Sequence, residues 1–328
     1  MANVIVLLEA KDASTLRPAC LRAITFGREV SQTVGGALSL LLLGHEVGKL
    51  GEAARGYGAD QVYVVDDCSL TPPLAERIAP TLRNVALLAN ATIVIAAATA
   101  FGKDVLPRLA ELLDAAFVSE CIGFEICSND LLWRRPISAG NAVAYCKSES
   151  ARTVVSVRHT EFEPANAKLD FSPIEVLQAA KAEPLIDRVE PIGFEIVESS
   201  RPDIAEAHIV VSGGRPLAGR FFQVLGPLAD ALGAGLGATR AACDGGHVPS
   251  DYQVGQTGRV VSPDLYIAVG ISGAIQHLSG IKGARIIVAI NSDPEAPIVS
   301  IADYALIGNL FELVPDLTDE LNRRKRDT

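Results

Sequence analysis

"LYIAVGISGAIQH", residues Leu265–His277, is an apolar run that ends in a Gly–Ser turn and passes at once into helical sequence. The run is continuous rather than alternating, which predicts a strand buried on both faces, as in a parallel sheet flanked by helices. Ser272 reads as the N-cap of the helix, where free backbone N–H groups receive anions such as a pyrophosphate. The stretch is neither a Gly-x-Gly-x-x-Gly fingerprint nor a P-loop, and it carries His277 one turn in.

Outward from this stretch the same strand–turn–helix alternation recurs. "HIVVSGGR" (208–215), "LGATRAAC" (236–243), "RIIVAIN" (285–291) and "YALIG" (304–308) predict strands separated by helices, with "FELVPDLTDELNRRK" as a closing helix. In the first half, "VIVLL" (4–8), "LSLLLL" (38–43), "VYVV" (62–65) and "TIVIAA" (92–97) alternate with helical patterns. The fold class expected is α/β, with two doubly wound, mostly parallel-sheet domains. Beyond Phe117, "RRPISAGNAVAYCKS" (134–148) and "RTVVSVRH" (152–159) read as antiparallel strands added at an edge. Residues 160–202 are rich in Pro and acid and read as a connector with one short strand, "GFEIVES" (193–199). The expected domains are 1–200, a scaffold or subunit-interface unit ending in that linker, and 203–328.

The chain has 328 residues, 49% apolar and 21% charged, with a formal net charge of −10. That composition reads as globular, and no basic stripe interleaved with aromatics points to nucleic acid. "NRRKR" (322–326) reads as cations at the end of the last helix. The six cysteines form no C-x-x-C pair and read as free, buried thiols of a reducing compartment. The N-terminal run reads as a strand rather than a leader, and "ALSLLLLG" is too short to span a bilayer. The chain is expected in a bacterial cytoplasm, or in the mitochondrial matrix if a transit peptide has been removed.

Several strand ends offer polar or glycine residues, and ligands of open parallel sheets bind beyond the carboxyl ends of strands. Arg215 follows Gly213 and Gly214. Thr239 and Arg240 follow "LGA", "DYQVGQTG" (251–258) is a polar loop, and Asn291 closes a strand. Such convergence suits an extended ligand such as a dinucleotide. "GAGLGA" (233–238) matches Gly-x-Gly-x-x-Ala but follows a helix and precedes a strand, so it reads as a helix C-cap. His45, His159 and His208 read as structural, His247 as a neighbour of the polar loops, and Asp66–Asp67 as a solvated pair.

"VVSGGR", "GATRAA", "QVGQTG", "LYIAVGISGAIQH", "VAINSDPEAPI" and "ADYALIGNLFELVP" occur in this order, and together they closely resemble the α subunit of electron transfer flavoproteins. "TAFGKDVLPRLA" and "ISAGNA" extend the resemblance into the first half. The resemblance implies that the second domain is Rossmann-like and binds FAD. It implies contacts from Arg215, Thr239, Arg240, Val254, Gly255, Gln256, Thr257, Ser272, Gly273, Ala274, Ile275, Gln276, His277, Asn291, Asn309 and Leu310. Members commonly carry Asp where this chain has Asn309, which keeps a hydrogen bond to the adenosine end but adds no charge.

It also implies a β-subunit partner, flavin dehydrogenases such as acyl-CoA dehydrogenases as donors, and a quinone oxidoreductase as acceptor. The chain would be a carrier rather than an enzyme, passing electrons singly through an anionic flavin semiquinone. For that task Arg240 supplies fixed positive charge, His277 a donor toward the flavin O2 edge, and Thr257 a hydroxyl near N5. Three rivals remain open at this point. One is a nicotinamide-dinucleotide-binding enzyme domain, with Asp293 as the ribose acid. The others are a scaffold that has lost FAD, and a bifurcating or nitrogen-fixation-linked member of the same family.

Overall fold

The apolar runs form parallel strands in the computed structural model of the chain, which describes residues 2–12, 14–128, 130–167, 171–180, 192–193 and 201–327. Two compact units divide it, Met1–Phe194 and Glu195–Thr328.

The N-terminal unit runs β1 (Asn3–Leu8), α1 (Pro18–Val34), β2 (Leu38–Gly44), α2 (Gly48–Ala54), β3 (Gln61–Asp66), α3 (Ala75–Leu88), β4 (Ala91–Ala97), α4 (Ala100–Leu112) and β5 (Ala116–Cys121). Then follow β6 (Gly123–Cys127), β7 (Asp130–Ile137), β8 (Ala142–Lys147), β9 (Thr153–Val157) and β10 (Ile174–Leu177). Seven strands make one parallel sheet in the order β10-β3-β2-β1-β4-β9-β5. Successive side chains of β1 enter opposite cores, as a strand's two-residue period requires. Val4, Val6 and Leu8 pack with Ile24 and Phe26 of α1, while Ile5 and Leu7 pack with Ile78 and Leu82 of α3 and Leu109 of α4.

Three expectations are corrected here. "RTVVSVRH" is not an antiparallel edge strand. It contains β9, whose five residues are all buried in the interior of the sheet, parallel to both neighbours. Its charged ends mimic an edge only because they lie outside the pleat. The antiparallel strands β6, β7 and β8 form a sheet of their own, pinned by the buried Trp133 against Phe26 and Phe124. The connector also holds a strand other than the one expected, since β10 pairs with β3 there. Of "GFEIVES", all but Gly193 lies outside the described residues. The thiols are free, but only Cys20 and Cys121 are buried, and Cys68 and Cys127 are exposed.

The C-terminal unit runs β11 (Ile209–Gly213), α5 (Phe221–Leu232), β12 (Gly235–Ala238), α6 (Arg240–Asp244), β13 (Leu265–Val269), α7 (Ile275–Leu278), β14 (Ile286–Asn291), α8 (Pro297–Ile301), β15 (Tyr304–Ile307) and α9 (Leu310–Asp327). Its five strands are all parallel, in the order β12-β11-β13-β14-β15. Helices α5 and α9 cover one face through Leu225, Leu228 and Val314, and Val261, Ile281 and Ile298 cover the other. The unit is doubly wound, but a single strand lies beyond β11, so it lacks the two equal halves of the six-stranded dinucleotide sheet. "GAGLGA" is a helix end: Gly233 takes the left-handed C-cap conformation after α5 and the chain continues as β12.

Candidate functional site

The direction of winding reverses between β11 and β13, the first two strands to lie on opposite sides of the turning point. There the loops beyond their carboxyl ends diverge and leave a crevice. The two turns nonetheless touch at their base. A Cβ on Gly214 would lie 1.8 Å from the Gly270 carbonyl oxygen, so only glycine lets the loops meet.

Above that contact lies a cavity of about 570 Å³. Arg215, Thr239, Arg240, Val254, Gly255, Gln256, Thr257, Ser272, Ala274, Gln276 and His277 line it, all expected from the sequence. A second cavity of about 300 Å³ shares Pro216, Gly270 and Ser272 with the first and reaches Asn291, Asn309 and Leu310. The two form one elongated groove across the carboxyl edge of the sheet. Gly273 and Ile275 line neither part. Gly273, at a φ of +87°, packs its backbone against Ile298, and Ile275 turns outward. Sequence reasoning missed Asp244 and Gln253, which also line the groove.

The site is built from caps and turns. Thr239 caps α6 by accepting from the Ala242 N–H at 3.3 Å, which leaves its own O–H to donate. Gln253 Nε2 donates to Thr257 Oγ1 at 2.9 Å, so the Thr257 proton is likewise free. Asn291 ties two strand ends together, donating to the Ile271 carbonyl and accepting from the Asp293 N–H. Asn309 caps α9 through Phe311 N and holds Glu312. Asp293 is a turn residue whose carboxylate accepts from Glu295 N at 2.9 Å, and it lines the smaller cavity. Helix α7 is a single turn with Ala274 at its N-cap, so Ser272 precedes the helix and does not cap it as expected.

The charges differ in state. Arg215 makes no salt bridge among the described residues and lines the groove as a free cation. Arg240 is paired with Asp244 at 3.2 Å, both about two-thirds exposed, so its fixed charge is partly offset by a neighbouring carboxylate. His277 is 6% exposed and held on both sides. Nδ1 lies 3.1 Å from the Val254 carbonyl, and Nε2 lies 2.8 Å from the Tyr266 hydroxyl. A carbonyl only accepts, so Nδ1 carries the proton and Nε2 accepts from Tyr266. Burial pushes the imidazole down to about 4, against a smaller opposing effect of Val254, so the ring is neutral near pH 7. With both nitrogens engaged, the ring has no N–H left for the groove. The direct bond to a flavin O2 expected of it requires release of one partner.

Of the other histidines, His208 is an exposed partner of Asp264, His45 lies by Asp66, and His247 is exposed outside the groove. His159 is lowered to about 4 by burial and by Arg22. Among the described residues no group of His, Cys, Asp and Glu is arranged to hold a metal, and no helix is long and apolar enough to cross a membrane.

Fold and groove define a doubly wound α/β protein with a nucleotide-sized site at its topological switch point. Residues 4–183 match the family model of the electron transfer flavoprotein domain, and residues 203–282 match that of the electron transfer flavoprotein FAD-binding domain. The chain is 43% identical over 321 residues to a probable mitochondrial electron transfer flavoprotein subunit alpha of Caenorhabditis elegans, covering 97% of this chain and 94% of the relative. It is 42% identical over 316 residues to an electron transfer flavoprotein subunit alpha of Pseudomonas aeruginosa, covering 96% and 98%. The chain belongs to the electron transfer flavoprotein family, on the side of its α subunits. Membership makes it part of an electron carrier rather than an enzyme with a substrate of its own.

Proposed function

We propose that the switch-point groove binds FAD. The observation that carries this reading is Arg215, which makes no salt bridge among the described residues and lines the larger part of an elongated groove in the unit matched by the FAD-binding model. A guanidinium there suits a pyrophosphate, with bidentate geometry available. The larger part, lined by Thr257 and His277, suits the ring system, and the part lined by Asn291, Asn309 and Leu310 suits the adenosine end. FAD supplies the redox chemistry when bound. The chain supplies hydroxyl donors at Thr239 and Thr257 and the Arg215 charge.

In this reading the chain pairs with an electron transfer flavoprotein β subunit. The N-terminal unit offers the interface, since its antiparallel sheet exposes Ile126, Ile137, Val143 and Tyr145. Flavin dehydrogenases such as acyl-CoA dehydrogenases donate electrons, which leave singly to a quinone-linked acceptor. The one-electron-reduced flavin is held as an anion. The compartment is a bacterial cytoplasm or a mitochondrial matrix; of the named relatives, one is called mitochondrial and the other comes from a bacterium.

The test is reconstitution of the purified heterodimer with FAD. One FAD per chain is expected, with no competition from NADH, and photoreduction passing through a red anionic species. Preferential binding of NADH refutes the cofactor assignment, and a blue neutral species refutes the charge assigned to the site.

A further inference from the structure

Tyr266 sits inside the apolar run of β13 and is not among the site residues expected from the sequence. Its side chain is fully buried, and its hydroxyl makes a 2.8 Å bond to His277 Nε2. On the far side of the ring, Val254 holds Nδ1 through a backbone carbonyl. The two partners differ in kind. A carbonyl accepts only, whereas a hydroxyl donates or accepts according to how its hydrogen is turned.

We propose that Tyr266 is a positioning residue for His277: its hydroxyl and the Val254 carbonyl keep the imidazole in one plane, with Nδ1 protonated, in both charge states, so that His277 acts on a bound ligand as a switchable charge and not as an N–H donor. The proposal rests on the reading that puts FAD in this groove. In the neutral ring Tyr266 donates to Nε2. When negative charge builds up in the groove, Nε2 takes one proton from solvent, and the hydroxyl turns to accept from the new N–H, its own hydrogen turning toward the buried Ser212 hydroxyl beside it. No heavy atom has to move. A fixed donor in place of Tyr266 would block the proton, and an apolar side chain would leave a buried N–H unsatisfied. The charged groups that face this space are Arg215, Arg240 and Asp244, and none of them holds the ring.

The chain has five histidines, so histidine-selective ¹⁵N labelling of the ligand-free protein resolves the ring directly. Wild type is expected to show Nδ1 protonated and Nε2 as a bonded lone pair. In Tyr266→Phe the Nε2 resonance moves to that of an unbonded lone pair, and Nδ1 stays in place. In the FAD-loaded heterodimer, Tyr266→Phe keeps FAD affinity within about threefold, since it touches no ligand. Its first-electron potential moves in the same direction as that of His277→Ala. The double variant matches His277→Ala alone, because Tyr266 acts only through the imidazole. A purely structural role predicts additive effects instead.

A wild-type Nε2 that carries the proton, an Nε2 resonance unmoved in Tyr266→Phe, or additivity in the double variant overturns the proposal. If Tyr266→Phe does not fold, incorporation of 3-fluorotyrosine, a stronger donor, must move Nε2 the opposite way. If wild type binds no FAD, the cofactor reading fails, while the ligand-free resonances still decide the Tyr266–His277 pair.

Discussion

Replacing His277 by glutamine should remove much of the acid sensitivity of the C-terminal unit. A glutamine amide can donate toward the Val254 carbonyl and accept from Tyr266, but it does not titrate. The folded imidazole is depressed to about 4, against about 6.5 in an unfolded chain. Between those values the unfolded chain binds a proton that the folded chain refuses, so stability rises with pH across this window. It is lost as pH falls from 6.5 toward 4. Linkage puts the loss between about pH 7 and about pH 5 at roughly 2 kcal/mol for this one group.

Urea denaturation followed by circular dichroism at the two pH values measures it. Tryptophan fluorescence supplies the control, since the single Trp133 lies in the N-terminal unit. His159, also lowered to about 4, should shift the fluorescence transition equally in both proteins. The transition of the C-terminal unit should lose stability on acidification in wild type and much less in His277→Gln. An equal loss in both proteins refutes the reasoning, because it means that the buried neutral ring is not what acid attacks.

Arg215→Ala should weaken FAD binding by about tenfold or more, the worth of a charge-assisted hydrogen bond, as read by calorimetric titration. Arg240→Ala should cost affinity less, because Asp244 already pairs that guanidinium, and an equal or larger loss would make Arg240 the principal anion ligand. Gly214→Ala should destabilise the C-terminal unit by about 3 kcal/mol through overpacking against Gly270, and it should abolish FAD binding together with the loop contact. A melting temperature unchanged in Gly214→Ala would show that the loops can part without cost.

Much of this was legible in the chain because the central strands of both parallel sheets are buried on both faces. Runs such as "VIVLL" and "LYIAV" announce parallel strands without any alternation to interpret. The exceptions are physical. Charged residues bracket β9 and disguise a central strand as an edge, while β10 has the exposed pattern of an edge strand within a polar connector. At the groove, the residues next to glycine turns were readable, since a turn leaves a local signature. Partnerships across the fold were not. Tyr266 and His277 are eleven positions apart and meet only once β13 and α7 are in place. The Arg240–Asp244 pair has the four-residue spacing of a helix surface and was open to reading, but a helix of five residues gives little pattern to place it on.

The place of β9 has a consequence for how the protein is made. Strands β4 and β5 do not pair with each other, and each pairs with β9. A ribosome that has released residues through β5 has therefore produced a strand with no neighbour. The gap stays open while the three antiparallel strands emerge, and the sheet is completed only when β9 slots between two older strands. The far edge waits longer still, until β10 reaches β3. Until then the nascent unit presents apolar strand edges, which makes this interval the stage at which a chaperone has most to cover.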